Sequence, residues 1–378
     1  MISFAYPNLD TEYYQGLIEE FSRANPHITV ELRPKRWDML GGIGAGDADT
    51  FVTSQFALNW LHEQDSILTL SPFIEQDESL ESSDFYPGTM GLYTREGKTW
   101  GLPAGVDIMV MYYNQDLLDQ YDVPHPQIGW TWDDFLDILV RMRDPEAGVF
   151  GYAPNLDMFD PLTFIYQHGG KIFDDLQDPS RTTFDDPLSI EALDWYTKLI
   201  FDYNVAPTPE QLNEAFGPRG GIQAGVYRGQ IAMWTGMLSE RGGRLWPTEW
   251  DMHWGMVPLP TDRHSATLTM VEGYFISSQT LHPDACWEWI AFLSGQIPAR
   301  QAPARRALAE SAEYEQTVST QVAAVVRSSM ENALMLSPKL AEFEEALGLF
   351  SQAFESILNE SASPQEAMSW AQQQSKYK

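Results

Sequence analysis

The sequence of 378 residues contains a single cysteine, Cys286. No intramolecular disulfide can form, and no Cys-based zinc or iron–sulfur site can be assembled. The setting of that cysteine, Ala285-Cys286-Trp287, reads as helix packing rather than as a nucleophile. Basic residues are also scarce: 23 Lys and Arg stand against 54 Asp and Glu, a formal charge of -31. Nucleic acid and anionic membrane surfaces need clustered Lys and Arg, so neither is an expected partner. The acid excess forms no long block; it keeps the surface soluble and disfavours anionic ligands unless a local basic pocket intervenes. Absent too is any apolar run near the roughly 18 residues needed to span a bilayer. None of the 7 histidines falls in a His-Glu-x-x-His arrangement. His168 has no partner at metal-ligand spacing, so neither a metal nor another cofactor is called for. Met1 leads straight into the strand-like Ile2-Ser3-Phe4-Ala5-Tyr6, without a charged leader or an apolar signal core. That start leaves two expectations open, a cytoplasmic protein or an exported one whose leader is not in this sequence.

Aromatic residues, in contrast, abound. With 43% hydrophobic residues, including 13 Trp, 16 Tyr and 19 Phe, the chain can fill more than one core, and its length exceeds what a single core usually supports. Two lobes are the expectation. Strand and helix patterns alternate from the start. After the first strand, Tyr14, Leu17, Ile18 and Phe21 fall at helical spacing behind Asp10, which reads as a cap, and Asn25-Pro26 ends that helix. Ile28, Val30 and Leu32 then alternate as a half-buried strand. This βαβ order predicts a largely parallel sheet, with ligands at the carboxyl ends of its strands. The run Gly41-Gly42-Ile43-Gly44-Ala45-Gly46 lacks the Gly-Lys-Ser/Thr ending of a phosphate cradle.

The organising stretch is Trp100 to Asn114. A turn on Gly101 and Pro103 loosens at Ala104 and Gly105, sets one carboxylate at Asp107, and runs Ile108 to Tyr113 without a polar residue, as a buried strand does. Farther on, Thr131 and Asp134 have capping-box spacing ahead of Phe135, Ile138, Leu139 and Met142. Helices follow at 161–167, 187–201 and from Pro283, and strands at 231–234, 254–257 and 270–277. Leu340, Phe343, Leu347, Phe350, Phe354 and Ile357 predict one long helical stripe, and Ser363-Pro364-Gln365-Glu366 starts another helix.

Taken in order, several landmarks resemble those of the carbohydrate-binding extracellular solute-binding proteins of ABC importers, the group that includes maltose-type binding proteins. They are Gly101-Leu102-Pro103, Tyr112-Tyr113-Asn114 with Asp116-Leu117-Leu118, Trp130-Thr131-Trp132-Asp133-Asp134-Phe135, His168-Gly169-Gly170, Gly229-Gln230-Ile231-Ala232-Met233, Val257-Pro258-Leu259-Pro260 and Cys286-Trp287-Glu288-Trp289-Ile290. The resemblance covers essentially the whole chain. It implies an α/β, two-lobe fold of the type II periplasmic-binding-protein kind, its lobes joined by a three-crossing hinge with the ligand cleft between them. The implied lobes are residues 1–107 with 266–308 and residues 110–260 with 314–378. The crossings fall near 106–110, 260–268 and 307–316. Also implied are a monomer, a transmembrane permease as partner, and a periplasmic or extracellular location with a lipid anchor as one variant.

A pyranose presents apolar C–H faces and a rim of hydroxyls, which suits aromatic rings together with carboxylates, amides or Arg. The resemblance places Asp107 where maltose-type proteins carry a ligand-binding acid, and matches Asp157 and Phe159 to an acid and an aromatic that contact sugar. Trp234 either replaces the family's stacking ring, which usually follows the next glycine, or belongs to the core. Glu272 and Tyr274 occupy the cleft floor, Glu272 standing where relatives usually have glycine and adding a hydroxyl acceptor. Asn8, Asp10 and the Ser54-Gln55 loop are positional candidates on the first lobe, with Asp10 read first as a helix cap. Arg306 either bridges hydroxyls near the third crossing or is an exposed helix residue. Trp130 and Trp132 flank a capped helix start and read as packing. Asp157 and Asp160 share one segment, unlike the opposed carboxylates of a glycosidase. The expectation is a non-enzymatic protein that captures a neutral mono- or oligosaccharide. The alternatives are a secreted carbohydrate-active enzyme, or the same fold binding a polyamine, a peptide or a phosphorylated polyol. The last would need more clustered cations than Arg305-Arg306.

Overall fold

The computed structural model describes residues 1–36, 43–154, 158–217 and 221–377. The chain folds into two compact units: Met1–Asp107, Thr269–Ala323 and Met335–Ala341 form the first, and Ile108–Leu268, Ala324–Leu334 and Glu342–Lys378 the second. Two passages between units lie inside strands, Leu102–Asn114 and Thr267–Ile276. No helix among the described residues is long and apolar enough to cross a membrane.

In the first unit, strand Ile2–Pro7 lies between Val30–Lys35 and Thr50–Ser54, parallel to both. Thr267–Ile276 then adds antiparallel to Thr50–Ser54, setting Glu272 opposite Ser54 and Tyr274 opposite Val52. The sheet is thus mixed rather than largely parallel, because this strand returns from far along the sequence instead of through a crossover helix. Helix Thr11–Ala24 buries Tyr14 and Phe21, and Phe21 meets Trp289 of helix Pro283–Ser294 edge-on, ring centroids 4.9 Å apart. Phe51 stacks on Phe275 at 5.5 Å. These rings are the core that fixes the strand ends.

The organising strand starts earlier than its apolar run suggests, at Leu102 rather than Ile108. Residues 102–106 are buried, and buried backbone must find partners. Gly105 and Val106 find them by pairing antiparallel with Pro303 and Ala302. Gly105 has no room for a Cβ because the side chain of Gln301 lies against it.

In the second unit, Ile231–Met237 runs parallel to Phe150–Ala153 and antiparallel to residues 109–113 of the long strand, and Trp254–Val257 pairs with residues 111–114. Helix Trp132–Met142 opens with the expected capping box: Thr131 Oγ1 accepts from the Asp134 N–H at 3.2 Å, while the Asp134 carboxylate accepts from Thr131 N–H at 2.8 Å. We expect Thr131→Ala to cost about 0.5–2 kcal/mol, measurable as a lower urea midpoint. Trp130 and Trp132 are buried, their indole N–H groups donating to Pro258 O and Gln167 Oε1, each at 2.8 Å. Helix Phe159–His168 ends at Gly169, whose φ of 92° favours glycine. The stripe from Leu340 is not one helix: Pro338–Phe343 is a 3-10 turn, and the α-helix is Glu344–Leu358.

Candidate ligand-binding site

A polar pocket in the first unit gathers at the carboxyl end of strand Ile2–Pro7. The chain turns there through Asn8–Asp10 into helix Thr11–Ala24. Asp10 stands at the N-terminus of that helix, yet its side chain makes no cap hydrogen bond. Both its oxygens instead accept from Arg300, Nε to Oδ1 at 2.7 Å and Nη2 to Oδ2 at 2.8 Å. This corrects the reading of Asp10 as a cap. Acid and guanidinium are each 8% exposed, so the pair is a buried, forked one.

Glu272 projects from the strand register opposite Ser54. Burial is the largest influence on its carboxyl and pushes the pKa up to about 7; the charges of Asp10 and Asp107 push the same way, while Arg300 and a hydrogen bond with Gln301 oppose them. Asp107, half-buried on the neighbouring strand, is therefore within electrostatic reach of Glu272. Burial alone would lower Arg300, but its bond to Asp10 and the charges of Asp10, Glu272 and Asp107 raise it. Tyr14, Tyr274 and Tyr13 are all raised, chiefly by burial. Because Glu272 rises above its ordinary value of 4.5, the native state holds its proton more tightly than the unfolded chain does. Its contribution to stability is present below pH 4.5 and is lost as pH rises through about 7.

These groups except Asp107, with Ala104, Pro298 and Ala299, line a cavity of about 20 Å³, room for one water. The Tyr13 hydroxyl is buried beside it with no hydrogen-bond partner, a donor and acceptor in wait.

Of the residues singled out from sequence, Glu272 and Tyr274 line this cavity, and Asp107 acts on Glu272 and Arg300 through its charge. Asn8 is exposed at the pocket's turn, its carbonyl accepting from Thr11 Oγ1 at 2.8 Å. Gln55 is fully buried: its amide donates to Leu336 O at 2.7 Å and its carbonyl accepts from Val271 N–H. That side chain joins backbone segments and leaves nothing to offer a ligand. Arg306 is exposed at the start of the short helix Arg306–Ala309. Its neighbour Arg305 is the engaged one, on Asp84 at 2.6 Å.

In the second unit, Phe159 is half-buried at the first residue of its helix, and Asp157 lies outside the described residues. Trp234 is 0% exposed. Its ring stacks on Tyr112 at 6.0 Å and meets Trp250 edge-on at 5.1 Å. Of the two readings of Trp234 the structure selects the core, because the ring presents no free face. Asp160 is buried between the hydroxyls of Tyr152 and Tyr196, both donating to it. His168 finds partners remote in sequence, Asp262 at 2.5 Å and Glu191 at 3.1 Å. No group of three potential metal ligands occurs among the described residues.

A family model for bacterial extracellular solute-binding proteins matches residues 8–296. The chain belongs to that family. Among curated relatives it is similar to an arabinooligosaccharide-binding protein of Halalkalibacterium halodurans, 27% identical over 165 residues, covering 44% of this chain and 35% of the relative. Another, of the same description from Bacillus subtilis, is 23% identical over 218 residues, 54% of this chain and 48% of the relative. The matched segments thus span less than half of either relative. Among solved structures, an ABC substrate-binding protein from Listeria monocytogenes in complex with cycloalternan superposes with a TM-score of 0.80 at 22% identity, covering 98% of this chain and 97% of that one. That likeness shows the fold, the expected two-lobe α/β architecture.

Proposed function

We propose that this protein is the substrate-binding component of an ABC sugar importer, capturing a neutral mono- or oligosaccharide and handing it to a membrane permease. Family membership supports the binding role. The observation that carries it is the family match over residues 8–296; in the first unit, carboxylates, an amide and tyrosine hydroxyls gather at a strand end around a cavity with room for one water. Asp107, Glu272, Tyr274 and Asn8 would contact ligand from this unit, and Asp157 and Phe159 from the other. Gln55, Trp234 and Arg306 we leave out, the first two because they are buried in packing. The hinge we assign to the strands within which the chain changes unit, at Asp107–Ile108 and Leu268–Thr269, so that Asp107 would respond to closure. Action in the periplasm or outside the cell, as a monomer and with a lipid anchor as one variant, completes the reading.

Arabino-oligosaccharides are the first ligands to try, after the relatives' descriptions. A thermal-shift screen against a saccharide library tests the proposal, since a ligand that binds the native state raises its melting temperature. Release of shorter sugars at catalytic rates would overturn it in favour of an enzyme. Asp107→Ala is expected to weaken sugar binding at least tenfold, about 1.4 kcal/mol, with little loss of stability. Unchanged calorimetric affinity would remove Asp107 from the site.

A further inference from the structure

We propose that Glu272 sets the charge selectivity of the first unit's pocket, admitting a neutral or cationic group of the ligand and turning away a carboxylate or phosphate. The inference rests on the binding-protein reading and adds to it which ligands the site refuses and why.

Arg300 is the one cation among the residues lining the cavity. Two of its nitrogens are turned onto Asp10 in a forked geometry, and both residues are buried. A ligand anion would have to compete with a carboxylate already seated in the best position for that guanidinium. It would also meet Glu272 directly and the field of Asp107 behind it. Both are like charges at half-buried positions, where repulsion is screened less than on the open surface. A hydroxyl meets no such penalty. The Tyr13 hydroxyl, buried without a partner, can give or take a hydrogen bond, and Glu272 accepts one when ionised and donates one when protonated. An ammonium group would gain from the same carboxylates.

The titratable and charged groups that act on Glu272 come from several elements, while the paired strand Thr50–Ser54 sets Ser54 opposite it. Asp10 and Tyr14 stand on the first helix and the turn before it, Asp107 on the adjoining strand, and Arg300 and Gln301 on the loop before Ala302–Pro303. Tyr274 lies on its own strand, and Tyr93 also feels its charge. Burial pushes the Glu272 carboxyl up to about 7, so it loses its proton as pH rises through neutrality. Refusal of anions should therefore strengthen as pH rises through that value.

The test is titration calorimetry on the full chain with three matched forms of one trisaccharide, arabinotriose or maltotriose: the neutral sugar, its aldonate and its glycamine. Glycerol 3-phosphate and spermidine complete the panel. At pH 8.5 the wild type should bind the neutral form at least tenfold more tightly than the aldonate, and this ratio should fall at least threefold at pH 6. In Glu272→Gln the ratio at pH 8.5 should shrink to within threefold and lose its pH dependence. The wild-type pH series keeps the proposal open to refutation if the variant folds poorly. An aldonate bound by the wild type as tightly as the neutral sugar at pH 8.5 overturns the selectivity while leaving the saccharide reading intact. Spermidine binding with no response to any neutral sugar does the reverse. Binding of glycerol 3-phosphate alone, or silence across a panel spanning all three charges, overturns both.

Discussion

Arg300→Ala is expected to cost the protein about 3–5 kcal/mol of stability, the usual penalty for leaving one partner of a buried ion pair alone. The side chains of Arg300 and Asp10 are each 9% exposed and meet at 2.7 Å, so the stranded Asp10 could not be rehydrated without opening the turn after the first strand. Asp10→Ala should cost less, since the charges of Glu272 and Asp107 still act on the guanidinium. A double replacement, Asp10→Leu with Arg300→Met, removes both charges and should be less damaging than either single change, because desolvation no longer has to be offset. Urea denaturation followed by circular dichroism measures all three. A loss under 1 kcal/mol in both single variants would mean that water reaches the pair.

Trp234→Ala should be nearly as damaging, again by about 3–5 kcal/mol. The indole is fully buried against Tyr112, Trp250 and Trp246, the last with ring centroids 6.2 Å away, and a truncated side chain would leave a cavity among large, rigid rings. Its N–H is buried without a hydrogen-bond partner, an unpaid desolvation that phenylalanine would not incur. Trp234→Phe should therefore cost less than half as much as the alanine change. The same urea titration decides this, and sugar affinity measured on folded protein should change less than twofold in Trp234→Phe. A tenfold loss of affinity in that variant would return the ring to the binding site.

What could be read in the sequence was local or periodic. The capping pairs Thr131–Asp134 and Ser363–Glu366 are three residues apart, and both form. The helix Pro187–Phe201 has the bounds its apolar spacing and flanking turns suggest. Length and aromatic content pointed to two lobes, but the type of two-lobe fold was legible only through the order of many weak landmarks. Asp10 and Arg300 are separated by 290 positions, and no local pattern ties one to the other. A helix cap was the sounder reading of an Asp in that place, and the structure overrode it because a distant loop delivers a guanidinium. Gln55 illustrates the opposite failure. A polar residue after a strand invites a ligand role, yet both ends of its amide are taken by backbone groups at Val271 and Leu336. Glu272 was legible as a departure from the pattern that the resemblance implies. Its raised pKa was not, since burial is its largest cause and only packing supplies that.

The aromatic cluster of the second unit also has an optical consequence. Trp234, Trp246 and Trp250 lie with ring centroids 5.1–6.2 Å apart, and Trp254 is 5.6 Å from Trp250, close enough to exchange excitation and emit as a coupled, water-shielded set. No tryptophan lines the pocket of the first unit. Eight of the 13 tryptophans fall in the second unit and five in the first, so intrinsic fluorescence excited at the indole band is weighted toward the second unit and should change little while sugar only docks on the first. A spectral shift on adding sugar would then signal that the second unit has been engaged, which makes the native chain its own reporter without a label.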